Sequence, residues 1–210
     1  MRRIDKLEPS RHVQGRFLIW FEGEREPLSV TDNEVLHFSL CRGRELEETE
    51  YDVLRAEAGL SAAKARGARM LGERPLSKKE LVKRLTDKGE APENALAAAE
   101  WLEEIGALND LEYARGIVRH YASRGYGVQR LRQELQRRGI SRDIWDDALE
   151  EQSDPVDRVT AFLSARLRGE MPDAKQLKRT ADALLRRGFR WEEIKAGLHR
   201  YGAEIEEESI

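Results

Sequence analysis

A unit of about fifty residues, present three times, constrains the fold of this chain more than any other feature of its sequence. Each copy contains a basic residue followed by glycine, and the three glycines lie 50 and then 49 positions apart. These pairs are Lys88-Gly89, Arg138-Gly139 and Arg187-Gly188. A period of this length predicts a helical array in which each unit buries its apolar face against its neighbours. Because such arrays usually bind something long, the repeat favours a binding protein over an enzyme.

Charged residues make up 37% of the 210-residue chain and are distributed in blocks. Basic residues outnumber acidic ones by 7 to 3 in residues 108–139 and by 11 to 6 in residues 155–203. The segment 140–154 and the tail 204–210 are acidic. Alternating blocks within a net charge of −3 argue against a general polyanion binder. They predict a partner whose own surface is charged in a pattern.

The cysteine content and the hydropathy indicate a cellular compartment. Cys41 is the only cysteine, so a disulfide framework is excluded, and we expect Cys41 to be a small core residue rather than a reactive thiol. No stretch is long and apolar enough for a membrane span, and the charged first residues do not form a secretory signal. These features predict a cytoplasmic protein without a membrane segment.

The first 59 residues are predicted to form an extension that precedes the repeats. Residues 13–21 and 28–30 are rich in β-branched and aromatic side chains and flank a glycine-containing turn, which predicts a β-hairpin. Thr31 or Asp32 can cap the first of two short helices, and Gly59 marks the predicted end of the second.

Three repeats and an acidic tail are predicted to follow, so the fold class is mainly α. The predicted boundaries are 1–59 for the extension, 60–107, 108–153 and 154–203 for the repeats, and 204–210 for the tail. The nine predicted repeat helices are 61–71, 78–87, 92–105, 110–124, 128–137, 142–151, 155–168, 174–187 and 191–201. Helix-start signals are present at three of them: Ser77 with Glu80, Asn109 with Glu112, and Asp154 before Pro155.

Residues that could support catalysis or hold a metal are scattered rather than clustered. The four histidines lack a second ligand at one-turn spacing, and a single cysteine does not fit a zinc site. The Gly125-Tyr126-Gly127 segment is superficially similar to a phosphate-binding loop, but no strand precedes it and a third glycine is missing. It is interpreted as a flexible turn between helices. Trp101, Trp145 and Trp191 are expected in the core. No catalytic residue, cofactor or metal is predicted.

Arginines are concentrated in the second repeat, where they outnumber lysine. The candidate binding residues are Arg115, Arg119, Arg124, Arg130, Arg132 and Arg137. They either form a solvated face or pair in a fork-like manner with carboxylates or phosphates of a partner. In the hairpin, Trp20 lies on the opposite face from Ile19 and Phe21, and it either packs within the chain or contacts a partner.

Two segments carry a family resemblance. The first repeat has Arg-Pro-Leu-Ser-Lys-Lys-Glu-Leu at 74–81, and the second has Gly-Ala-Leu-Asn-Asp-Leu-Glu-Tyr-Ala at 106–114, followed by Arg-Gly-Tyr-Gly at 124–127. These segments resemble the RecX family, bacterial regulators of the RecA recombinase, over about residues 60–200. The resemblance implies nine helices in three stacked triplets that form an elongated, curved array.

The resemblance also implies a function. A RecX-like protein is expected to bind the RecA filament on single-stranded DNA and to limit its ATP hydrolysis, strand exchange and coprotease activity, as a monomer and without being an enzyme. A direct contact with DNA stays open. The alternatives are a helical DNA-binding protein that acts on nucleic acid alone, with affinity that falls steeply with salt, and a helical scaffold for some other protein.

Overall fold

A computed structural model describes residues 1–11, 13–167 and 172–203, and the chain divides into two compact units. The first unit is Met1–Leu108 and the second is Asn109–Ile210. Over the described residues the fold is mainly helical with one small antiparallel sheet, which confirms the predicted fold class. The predicted acidic tail, 204–210, lies outside the described residues.

The first unit opens with a four-stranded antiparallel sheet in the order β3-β2-β1-β4. Its strands are β1 (Arg2–Pro9), β2 (Arg16–Phe21), β3 (Leu28–Thr31) and β4 (Glu45–Leu46). The pairing of β2 with β3 confirms the predicted hairpin. The sequence pattern does not predict β1 because only Ile4 of its eight residues is buried, so the apolar alternation typical of a strand is missing.

The sheet packs one face against the start of the long helix α2 (Glu48–Glu73). Ile19 and Phe21 of the sheet share an apolar cluster with Leu54 of α2. Arg16, which is also buried, links the two elements because its guanidinium donates to the Ser61 hydroxyl at 3.0 Å. Burial of this guanidinium lowers its pKa from the ordinary arginine value.

The short helix α1 (Asp32–His37) lies between β3 and β4 and begins where the sequence predicts. The Thr31 hydroxyl accepts from the Glu34 backbone N–H, and the Glu34 carboxylate accepts from the Thr31 N–H at 2.7 Å. The chain turns after α1, and Leu40 is buried there while Cys41 is exposed. The prediction that Cys41 is a core residue is therefore wrong, because its neighbour takes the inward position.

Helix α2 is a single helix of 26 residues, so the prediction that a helix ends at Gly59 is wrong. In α2, glycine allows a neighbouring helix to pack closely. A Cβ atom at Gly59 would lie 2.5 Å from the Asn94 side chain, and one at Gly67 would lie 2.8 Å from Leu102. Both partners belong to α4 (Pro92–Glu104), which therefore approaches the α2 backbone closely. The long helix crosses the predicted junction between the extension and the first repeat.

Helix α3 (Lys78–Asp87) and α4 pack with the C-terminal half of α2 around a second apolar cluster. The predicted capping box at the start of α3 is confirmed: the Ser77 hydroxyl accepts from the Glu80 N–H at 3.1 Å, and the Glu80 carboxylate accepts in return. Trp101 packs against the edge of this cluster, as predicted.

The second unit contains two further apolar clusters, each formed by consecutive helices. The helices are α5 (Asp110–Ala122), α6 (Val128–Arg137), α7 (Trp145–Leu149), α8 (Pro155–Leu167), α9 (Ala174–Arg186) and α10 (Trp191–Tyr201). A 3-10 turn, Arg142–Ile144, precedes α7 at a position where the sequence predicts regular helix. The other five helices begin at the predicted residues.

Backbone hydrogen bonds join the end of α9 to the start of α6. The Gly127 N–H donates to the Arg187 carbonyl at 2.8 Å, and the Gln129 N–H donates to the Gly188 carbonyl at 3.1 Å. A Cβ atom at Gly127 would lie 2.3 Å from the Gly188 carbonyl oxygen, so the approach requires glycine. Because the Arg187 and Gly188 carbonyl groups accept from these two backbone N–H groups, the N–H groups are not available to bind a phosphate. This agrees with the interpretation of 125–127 as a turn.

Candidate partner-binding surface

The repeated basic-glycine pairs end α3, α6 and α9. Their glycines have φ values of 91°, 70° and 86°, in the left-handed region that favours glycine. The cation before each glycine is the helix C-cap, where positive charge complements the negative end of the helix. The pairs therefore belong to the architecture of the fold.

Arg115 and Arg119 lie one turn apart on α5 and share an acidic neighbour. Arg115 donates to Glu112 at 2.7 Å, and both arginines have a nitrogen 3.7 Å from a carboxylate oxygen of Glu151. The hydrogen bond to Glu112 raises the pKa of the Arg115 guanidinium. Arg119 has 57% of its side chain exposed, against 27% for Arg115. Arg119 is therefore the more accessible of the two.

Arg130 and Arg137 lie on one face of α6, on either side of Glu134. The Glu134 carboxylate accepts a hydrogen bond from Arg137 at 2.8 Å and forms an ion pair with Arg130 at 2.9 Å, although its side chain is only 4% exposed. Burial raises the pKa of Glu134, but hydrogen bonds from Arg137 and Tyr121 and the nearby positive charges outweigh it, so the pKa lies below the ordinary value. Glu134 is therefore ionised at neutral pH and compensates both arginines.

The other two predicted arginines, Arg124 and Arg132, lie outside both pairs. Arg132 lies on the opposite face of α6 and pairs with Asp146 at 3.0 Å. Arg124 follows α5 and is exposed, and within the described ranges its side chain forms no hydrogen bond or ion pair. The six predicted arginines are thus brought together as two pairs around different acids, with Arg124 and Arg132 apart from both.

Four exposed cations on α9 form a second basic surface that the predicted site does not include. They are Lys175, Lys178, Arg179 and Arg186. At 100° per residue they fall within about 100° of the helix circumference, so they share one face. The repeat register is the signal that identifies two of them, since Arg130 and Arg137 precede Arg179 and Arg186 by 49 positions.

Trp20 lies on the open face of the sheet. Strand β2 alternates as predicted: Ile19 and Phe21 are buried in the core, and Trp20 is half-buried on the other face. The Lys6 ammonium lies 5.0 Å from the centroid of its ring. Contact between Trp20 and a partner stays a prediction.

Within residues 1–11, 13–167 and 172–203, no group of three or more His, Cys, Asp or Glu side chains could hold a metal ion. None of the helices in these ranges is long and apolar enough to cross a membrane.

Residues 109–149, which contain α5, α6 and α7, match the family model described as RecX, second three-helix domain. A protein of Halorhodospira halophila named "Regulatory protein RecX" is 32% identical over 145 residues, which are 67% of this chain and 90% of that protein. This chain belongs to the RecX family. A RecX relative from Streptococcus gordonii is 24% identical over 99% of the chain and 80% of its own length.

Solved RecX structures share the fold. A crystal structure of regulatory protein RecX has a TM-score of 0.70 at 22% identity and covers 95% of this chain and 100% of its own. RecX from Lactobacillus salivarius has a TM-score of 0.61 at 19% identity and covers 69% of this chain and 97% of its own. At these identities the likeness concerns the fold alone.

Proposed function

We propose that this chain binds the RecA filament on single-stranded DNA and limits its ATP hydrolysis, strand exchange and coprotease activity without catalysing a reaction. The curated relatives are named regulatory proteins, so a regulatory role rests on family membership. The observation that carries the proposal is the family match over 109–149, because that segment holds the six predicted arginines. The protein acts as a cytoplasmic monomer in this proposal.

The surface of α5 and α6 supports a protein partner for these arginines. Arg119 and Arg137 are more than half exposed, yet each lies beside a carboxylate of the same chain. Carboxylates such as Glu112 and Glu151 would repel DNA phosphates, whereas a protein surface with charges of both signs can complement them. The pattern therefore favours docking on the protein part of the filament.

The alternative is a helical protein that acts on nucleic acid alone. The exposed cations on α9, which form no ion pair with the described residues, favour it. The net charge of −3 opposes it as the main activity. It predicts tight, salt-sensitive binding to naked DNA and an unchanged RecA ATPase. A scaffold for some other protein predicts neither effect.

The deciding experiment is a titration of the DNA-dependent ATPase of the organism's own RecA with substoichiometric amounts of this protein. We expect strong inhibition by the wild type. An Arg119→Glu/Arg124→Glu variant should need more than tenfold more protein for the same inhibition, because both side chains are exposed and neither supports a buried group. Reversal of Arg130 is unsuitable, since it would place a second carboxylate against the buried Glu134.

An Arg69→Glu/Arg84→Glu variant is the control, because it changes the net charge equally at exposed positions of the first unit. It should inhibit as the wild type does. Thermal unfolding followed by circular dichroism should be the same for all three proteins. Full inhibition by the Arg119→Glu/Arg124→Glu variant would remove α5 from the docking surface, and no inhibition by the wild type would refute the proposed function.

A further inference from the structure

Helix α9 presents a row of exposed cations on one face. Lys175, Lys178, Arg179 and Arg186 are exposed, and none of them forms an ion pair with any residue that the structure describes. Among the residues of α9 itself, the only acid on this face is Asp182, which is half-buried. Four cations against one carboxylate leave the outer face of α9 strongly positive.

Comparison with the second repeat explains why these cations have no ion-pair partner among the described residues. The sequences of α6 and α9 align at a shift of 49 residues, which pairs Arg130 with Arg179 and Arg137 with Arg186 in the alignment. Between the two arginines of α6 lies the buried Glu134, and the equivalent residue in α9 is Ala183. The third repeat therefore keeps the arginines and lacks the buried carboxylate that pairs with both of their counterparts in α6.

The residue types on this face identify the chemistry of its partner. Lysine is depleted at protein–protein interfaces, whereas lysine and arginine together are the usual contacts to phosphate. From Lys175 to Arg186 the row spans about 16 Å along the helix at 1.5 Å per residue, which suits a linear polyanion. The face carries no aromatic side chain on which a base could stack.

We infer that the outer face of α9 binds the phosphodiester backbone of a nucleic acid strand without reading its sequence. The contact is electrostatic, so its Kd lies in the micromolar range or weaker at physiological salt. This contact goes beyond the proposed function and is measured without RecA. A negative result for the DNA contact therefore does not refute the proposed function, and the reverse also holds.

The test uses the full chain and a fluorescein-labelled oligo(dT) strand, with binding followed by fluorescence anisotropy from 20 to 200 mM NaCl. Four phosphate contacts on single-stranded DNA predict a slope of log K against log salt of about −3. Ala183→Glu introduces the carboxylate that α6 has, and it should weaken binding at least fivefold and flatten the slope. Asp182→Asn removes the acid from the face and should strengthen binding at least twofold.

Two further variants control for the added charge and for a loss of folding. Gln136→Glu adds the same charge at an exposed position of α6 and should change affinity less than twofold. Lys178→Ala/Arg179→Ala, at exposed positions, should weaken binding as Ala183→Glu does even if the half-buried Ala183 tolerates glutamate poorly. Melting curves confirm that each variant is folded.

Three results would overturn the inference. One is no binding by the wild type at 20 mM NaCl, and another is equal weakening by Gln136→Glu and by the α9 variants. The third is wild-type DNA affinity in the α9 variants. If these variants also lose binding to RecA filaments, the face serves protein carboxylates instead.

Discussion

Helices α6 and α9 end in the same Arg-Arg-Gly sequence and carry arginines at equivalent positions, yet one keeps its charge within the chain and the other presents it to solvent. In α6, a single buried carboxylate holds two arginines in fixed positions. In α9, alanine occupies that site, and the arginines are free within the described chain.

The difference teaches that a count of arginines does not measure the charge available to a partner. The second repeat has the denser arginine cluster, but most of its guanidinium groups are already paired: Arg115, Arg119, Arg130, Arg132 and Arg137. In the third repeat, the exposed cations of α9 form no ion pair with the described residues, so they are the more available ones.

The glycine that ends α9 is closely surrounded by backbone, and the largest expected effect follows from this. A Cβ atom at Gly188, after α9, would lie 2.5 Å from the Arg130 backbone nitrogen. Gly188→Ala should destabilise the protein by about 3 kcal/mol or more, because the added methyl group meets backbone that cannot rotate away. Urea unfolding measures this loss.

The control is Gly89→Ala, at the equivalent position of the first repeat. Gly89 has a φ of 91°, close to the 86° of Gly188, but no atom lies within 4 Å of its added Cβ. This change should cost only about 1–2 kcal/mol, the penalty of a left-handed conformation with a side chain. Equal losses in the two variants would show that the junction of α6 and α9 yields to a methyl group.

Glu134 comes next in expected effect. Glu134→Gln keeps the shape of the side chain but removes the charge that two arginines and Tyr121 contact, so it should cost about 1–3 kcal/mol at pH 7. The folded pKa of Glu134 lies below its unfolded value of about 4.3. The ionised carboxylate therefore contributes stability above that pH, and the contribution is lost as the pH falls through the folded pKa.

The measurement is the difference in unfolding free energy between wild type and Glu134→Gln from pH 7 to pH 3. It should be constant from pH 7 to about pH 5 and should shrink at lower pH. A difference that does not change with pH would mean that shape, rather than charge, is what Glu134 contributes.

Much of the helical fold could be predicted from the sequence because its signals are local. Proline, capping residues and glycines lie at helix ends, so α3, α6 and α10 have the predicted limits. The prediction that a helix ends at Gly59 was wrong because the sequence does not distinguish a glycine that ends a helix from one that allows a neighbouring helix to pack closely. Its spacing of eight residues from Gly67, on the same helix face, is the signal that separates the two cases.

The candidate surface was harder to predict because compensation of charge depends on tertiary contacts. Arg119 pairs with Glu151, which lies in the turn after α7, 32 positions away. Local sequence does show that Glu134 stands between Arg130 and Arg137 at helical spacing. It does not show that the glutamate is buried, and burial is what fixes its pairing.

Substitution of Arg132 has the smallest expected effect. It compares an exposed ion pair with the buried ion pairs of Glu134 on the same helix. The distance from Arg132 to Asp146 is 3.0 Å, within 0.2 Å of the arginine distances to Glu134, but Asp146 is 86% exposed and Glu134 only 4%. An exposed ion pair gains little because water solvates both charges, so Arg132→Ala should change the unfolding free energy by less than about 1 kcal/mol. Chemical denaturation at low and high salt measures the change, which should decline further as salt screens the pair. A loss as large as that of Glu134→Gln would mean that distance, and not burial, decides which arginines of α6 are held by their acids.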